Sequence, residues 1–192
     1  MTKMNHLTRT VTTAVCIALC VVLPMALHWI PGVGSINLGT LLSPMHLPVL
    51  LCGLICGWPY GLVCGILGPL LSSLLTSMPG WGYLPTMMVE LALYGLISGI
   101  LIQLVHTGRL MVDLYISLIV AMLAGRIITG IARALIFAPR SGGVYSLSAW
   151  ATGYFVSSFP GIILQLILLP ILYLALQRAK LIPNRYQKQK AV

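Results

Sequence analysis

Residues 84–105 read LPTMMVELALYGLISGILIQLV, from Leu84 to Val105, with Glu90 as the one charged side chain. A helical crossing of a bilayer needs about 20 predominantly apolar residues, and this stretch has that length. A charge at the bilayer centre costs about 2.5–3.5 kcal/mol even on the lenient insertion scale. A span-length apolar run that nevertheless keeps a carboxyl group predicts a membrane helix with one face turned inward.

The rest of the chain agrees with that stretch. Of 192 residues, 59% are hydrophobic and 7% charged, and the mean hydropathy is +1.02. A soluble domain has about a quarter of its residues charged, so this chain lacks the groups to cover a water-facing surface. Disorder is excluded too, because it requires low hydrophobicity. The net charge of +9 arises from 11 Lys and Arg against 2 Asp and Glu. Seven of the eleven cations lie at the termini: Lys3, Arg9, Arg178, Lys180, Arg185, Lys188 and Lys190. Cations placed there mark cytoplasmic ends, and no nucleic-acid partner is implied.

Apolar runs flank residues 84–105 on both sides. Together they predict an all-α membrane protein, one domain over residues 1–192. Six transmembrane helices are expected at about 11–30, 44–57, 60–77, 84–105, 114–137 and 149–176. The first run has the basic flank of a signal peptide, but no A-x-A site follows it, so it is read as a retained helix. The second run is short, as for a tilted or partial crossing. An even number of crossings puts both termini on one side, and their charge makes that side cytoplasmic. Arg109 then falls in a cytoplasmic turn, while Arg140 sits in an outer loop against the rule. The sequence contains no phosphate-binding glycine motif, so any ATPase that drives transport is another chain.

Three charged residues fall inside the predicted spans: Glu90, Arg126 and Arg133. Counted inward at 1.5 Å per residue, Glu90 and Arg133 each lie roughly 8–9 Å below the outer surface, with Arg126 deeper. A Glu90–Arg133 pair is geometrically open. Two arginines face one carboxylate, which leaves room for a small anionic ligand on a guanidinium fork. The competing reading has the second arginine reach the interface or bind carbonyls freed at a proline kink. Asn37, Met45 and His46 near the second span, Trp81 and Tyr94 around the fourth, and Trp150 at the sixth supply polar and aromatic groups for a small-molecule pocket. The alternative for the Trp and Tyr residues is the interfacial aromatic belt.

Cys16, Cys20, Cys52, Cys56 and Cys64 all fall within spans and are read as small hydrophobes, with no metal site or disulfide framework. No cofactor is implied. Small residues recur at four-residue spacing: Gly57, Gly61 and Gly65, then Gly95 and Gly99, Ala121 and Gly125, and Ala14 and Ala18. Such pairs let helix backbones approach closely in lipid.

The stretch Ser43-Pro44-Met45-His46-Leu47-Pro48, the glycines through Gly68 with Pro69, Glu90-Leu91-Ala92-Leu93-Tyr94-Gly95, Gly125-Arg126 and Pro160-Gly161 together resemble the substrate-binding S components of energy-coupling factor (ECF) transporters. The resemblance covers essentially the whole chain. It implies a six-helix subunit of the bacterial cell membrane that captures a vitamin from outside and takes its power from a transmembrane coupling protein and two cytoplasmic ATPases. Within that family an AxxxA motif in the first helix packs on the coupling protein. It maps onto Ala14 and Ala18, so docking stands beside internal packing for that pair. The SPMH stretch looks closest to the pantothenate-type S components, and a carboxylate-bearing vitamin suits an arginine. Pyridoxine, cobalamin or a queuosine precursor remains an alternative substrate. Two other classes are a small membrane enzyme using Glu90 or His46, for which the chain has few catalytic side chains, and a ligand-free membrane scaffold.

Overall fold

With no water in the bilayer core, a spanning segment must satisfy its backbone hydrogen bonds internally, which leaves helices or closed barrels. The computed structural model describes residues 4–28, 44–133, 159–182 and 186. Among them are six α-helices and no strand: α1 (His6–His28), α2 (His46–Cys56), α3 (Trp58–Thr76), α4 (Leu84–Leu104), α5 (Leu110–Ala132) and α6 (Phe159–Arg178). Five are long and apolar enough to cross a membrane. α2 has 11 residues and extends only about 16 Å, roughly half of a 30 Å hydrocarbon core. Among the described residues, five helices are long enough to cross and α2 is shorter than a full crossing.

Two helix starts differ from the hydropathy reading for identifiable reasons. α1 begins at His6 rather than near Val11 because Thr10, Thr12 and Thr13 return their hydroxyls to the carbonyls of His6, Thr8 and Arg9 at 3.0, 2.8 and 2.8 Å. The back-bonds satisfy the hydroxyls inside the helix, so these polar residues can lie within it. α5 begins at Leu110 rather than Leu114 because Asp113 is buried in its first turn and accepts the Thr107 N–H at 3.0 Å. Residues 149–158 of the expected sixth span lie outside the described residues.

α2 is the centre of the bundle. It packs on α1, α3, α4 and α6, and eight of its 11 residues are buried. It runs antiparallel to α1: the Cys20 thiol donates to the Met45 carbonyl at 3.8 Å, the Cys52 thiol to the Thr13 hydroxyl at 3.6 Å, and the Cys56 thiol to the Arg9 carbonyl at 3.7 Å. All five cysteines are buried and reduced, and their small side chains permit this close packing. Gly57 turns the chain from α2 into α3 with φ +95°, a conformation glycine adopts without steric cost.

The most extensive contact joins α3 to α4. A Cβ on Gly61 would strike the Gly95 carbonyl, and one on Gly65 the Leu91 carbonyl. The glycine repeats therefore serve internal packing. Ala14 and Ala18 do not: they lie exposed on α1, while Thr13, Cys16 and Cys20 form its buried face. The start of α1, the α2–α3 turn, the α4–α5 turn and the chain beyond α6 share one end of the bundle. Arg9 meets Cys56, a Cβ on Gly57 would meet Gln103, and Gly108 meets Tyr186.

Candidate functional site

α4 and α5 are antiparallel neighbours joined by the turn at residues 105–109. Glu90 lies 14 residues before the end of α4 and Arg126 lies 16 residues after the start of α5. Their heights above that turn, about 21 and 24 Å at 1.5 Å per residue, therefore nearly match. Both are buried. Tyr94, one turn along α4 from Glu90, stands between them. Its hydroxyl donates to Glu90 Oε1 at 2.8 Å and accepts from Arg126 Nε at 2.9 Å. A Cβ on Gly125 would overlap the Tyr94 ring, so that glycine makes the space the ring occupies.

The fourth member comes from α2. His46 Nε2 lies 3.6 Å from Glu90 Oε1, and its ring sits 5.2 Å from that of Tyr94, centroid to centroid. The half-length helix thus starts at the depth of Glu90, inside the membrane-embedded part of the bundle. His46 is 4% exposed, and its Nδ1 has no hydrogen-bond partner among the described residues. Buried polar atoms normally have one. Met45, immediately before α2, is buried beside it. The Thr129 hydroxyl, one turn beyond Arg126 on the same buried face of α5, also lacks a partner among the described residues.

The remaining expected residues fall elsewhere. Arg133 does not join the Glu90–Tyr94–Arg126 chain of hydrogen bonds; its Cζ lies 4.9 Å from the centroid of the Tyr83 ring. Trp81 is exposed in the loop between α3 and α4. That loop is held to α3 by Ser72 and Ser73, whose hydroxyls donate to the carbonyls of Met78 and Pro79 at 2.7 and 2.9 Å. Asn37 and Trp150 lie outside the described residues, as does Arg140. Between α5 and α6 a cleft of about 110 Å³ is lined by Ile119, Met122, Leu123, Arg126, Ile162 and Leu166. No group of three or more His, Cys, Asp or Glu side chains among the described residues is arranged to hold a metal ion.

Sequence reasoning missed two things here. Tyr94 appeared there among the polar and aromatic groups of a pocket, and its position one turn from Glu90 was the signal that its hydroxyl could reach the carboxyl group. Gln165 went unremarked, although it is the lone amide in the run Ile162-Ile163-Leu164-Gln165-Leu166-Ile167, and it is fully buried on α6.

Residues 8–173 match the family of ECF-transporter substrate-specific components. The chain belongs to that family. A search of curated proteins and one of solved structures found no match. As an S component the chain is a membrane transport subunit and not an enzyme. S components bind small substrates and work with an ECF module made of a transmembrane component and ATPases.

Proposed function

We propose that this S component captures a vitamin, pantothenate being the best fit, at the outer side of the bacterial cell membrane for an ATP-driven importer. The observation that carries the reading is the buried cluster that His46, at the start of α2, forms with Glu90 and Tyr94 and that Tyr94 extends to Arg126. Ionisable side chains inside a membrane bundle are costly and by default mark a substrate or ion site. Within this cluster His46 Nδ1 has no hydrogen-bond partner among the described residues. A guanidinium suits the carboxylate of pantothenate. In this proposal Asn37, Met45, Trp81, Arg133 and Trp150 complete the contact set from the surrounding loops and helix ends. Six crossings with both termini cytoplasmic fit the basic ends of the chain, which meet at one end of the bundle. The exposed pair Ala14 and Ala18 would dock on the coupling protein that joins this chain to the two ATPases.

Calorimetric titration of the purified chain with pantothenate tests the substrate and the clamp together. The wild type is expected to bind. Arg126→Ala is expected to bind at least about tenfold more weakly, the loss of one charge-assisted contact, and Arg109→Ala to match the wild type. Equal affinity of wild type and Arg126→Ala would remove the clamp. A wild type that ignores pantothenate would remove that vitamin, and mass spectrometry of small molecules carried through purification would identify the substrate.

A further inference from the structure

The second carboxylate of the chain lies at the other end of the bundle. Asp113 is fully buried in the first turn of α5. Its Oδ1 accepts the Thr107 N–H at 3.0 Å and the Thr107 hydroxyl at 2.6 Å. Its Oδ2 accepts the hydroxyl of Tyr186, and the Tyr186 oxygen accepts the Gly108 N–H at 3.3 Å. Tyr186 belongs to the chain beyond α6. There Lys180 takes a left-handed conformation, φ 58°, and the Lys180 and Leu181 N–H groups return to the carbonyls of Gln177 and Leu176 at 3.1 and 3.0 Å. The chain is turned so that Ile182 enters the hydrophobic core. The segment after α6 is thus anchored twice, by an apolar side chain and by a hydroxyl on a buried carboxylate.

α6 is held to the bundle by few buried residues. Five of its 20 residues are buried, against ten of 21 in α4 and ten of 23 in α5. Four of those five, Gly161, Gln165, Leu169 and Tyr173, form a single stripe at four-residue spacing. The cleft with Arg126 in its wall lies between α5 and α6. The helix that closes one side of Arg126 is therefore held by a narrow face.

We propose that Tyr186 and Asp113 form a latch that pins α6 across this cleft. With the latch closed, α6 lies against α5 and α2. With it open, the Ile182 anchor and the narrow stripe of α6 remain, and α6 is freer to swing outward and widen the cleft beside Arg126. Tyr186 is 37% exposed, so a partner at that end of the bundle can break the contact without touching the Glu90 cluster. The latch gives the far end of the molecule control over access to the buried site.

The test compares the full chain with Tyr186→Phe, which removes only the hydroxyl, and with Ile182→Ala, which weakens the second anchor. Hydrogen exchange in detergent is read over residues 172–182 and over residues 91–102 of α4. Both variants are expected to speed exchange in 172–182 about tenfold, the effect of losing one interaction of ordinary net strength, and to leave 91–102 unchanged. In an Ile162→Cys background, Tyr186→Phe is expected to speed labelling of the cleft by a water-soluble maleimide by a similar factor. Wild-type exchange in 172–182, faster exchange throughout α4, or unchanged labelling at position 162 would each overturn the latch.

Discussion

Tyr94→Phe is the most economical perturbation of the buried cluster. It keeps the ring that fills the space at Gly125 and removes one oxygen atom. That oxygen takes part in two hydrogen bonds, at 2.8 Å to Glu90 and 2.9 Å from Arg126. Side-chain hydrogen bonds between membrane helices average about 0.6 kcal/mol and reach about 1.7 kcal/mol. The upper end applies here, because guanidinium carries its charge at any working pH and bonds to charged groups are the stronger ones. The Tyr94–Arg126 bond joins two helices and the Tyr94–Glu90 bond lies within α4; at about 1.5 kcal/mol for each bond to a charged group the expected loss is about 3 kcal/mol. For a protein of this size each kcal/mol lowers the melting temperature by about 2–4 °C, so the fall is expected to be about 6–12 °C.

The molecule contains its own reporter for that measurement. All five cysteines are buried, so a thiol-reactive fluorescent dye gains signal only as the bundle opens. The same assay on Glu90→Gln and on the double variant gives a coupling energy. If Tyr94 transmits the link between Glu90 and Arg126, the two substitutions together cost less than their sum by at least about 1 kcal/mol. A Tyr94→Phe chain that melts with the wild type, or a double variant that is strictly additive, would refute the bridging role.

Two further outcomes separate packing from docking. Gly61→Val is expected to lower stability by about 3 kcal/mol, the high end for overpacking, because the added carbon would lie 2.8 Å from the Cα of Gly53 and meet backbone that cannot yield. Gly80→Ala, whose added carbon meets nothing within 4 Å, is expected to stay within about 0.5 kcal/mol of the wild type; equal melting of the two variants in the thiol assay would contradict the close α3–α4 approach. Ala14→Trp, on the exposed face of α1, is expected to leave pantothenate titration unchanged and abolish uptake in cells carrying the ECF module. Unimpaired uptake would place the coupling surface elsewhere.

The fold class was legible because lipid imposes a simple rule on sequence. Runs of about 20 apolar residues must be helices, and α3, α4, α5 and much of α1 follow from hydropathy alone. Helix ends were less legible. Thr10, Thr12 and Thr13 around Val11 and Asp113 before Leu114 are polar, and hydropathy cannot see that they bond within the helix or to the adjacent turn. The second expected span, read as short and tilted or partial, is an 11-residue helix. Its composition matches a crossing, but its length does not, and only the contacts of His46 with Glu90 and Tyr94 place its start within the membrane-embedded bundle.

For the site, the sequence alone determined that Glu90 and Arg126 are exceptional, because an ionisable group in an apolar run carries a cost that something must offset. Their matching heights follow from the connectivity of two antiparallel helices. The sequence could not determine which arginine Glu90 answers to, since Arg126 and Arg133 are two turns apart on one face. Tertiary structure decided it through the Tyr94 ring lying against Gly125, which puts the hydroxyl within reach of Arg126 Nε. It also settled the two small-residue patterns, which look alike in one dimension: glycines of α3 and α4 meet backbone to backbone, while Ala14 and Ala18 face away. Spacing says which residues share a helix face, but only the packing of neighbouring helices says what that face touches.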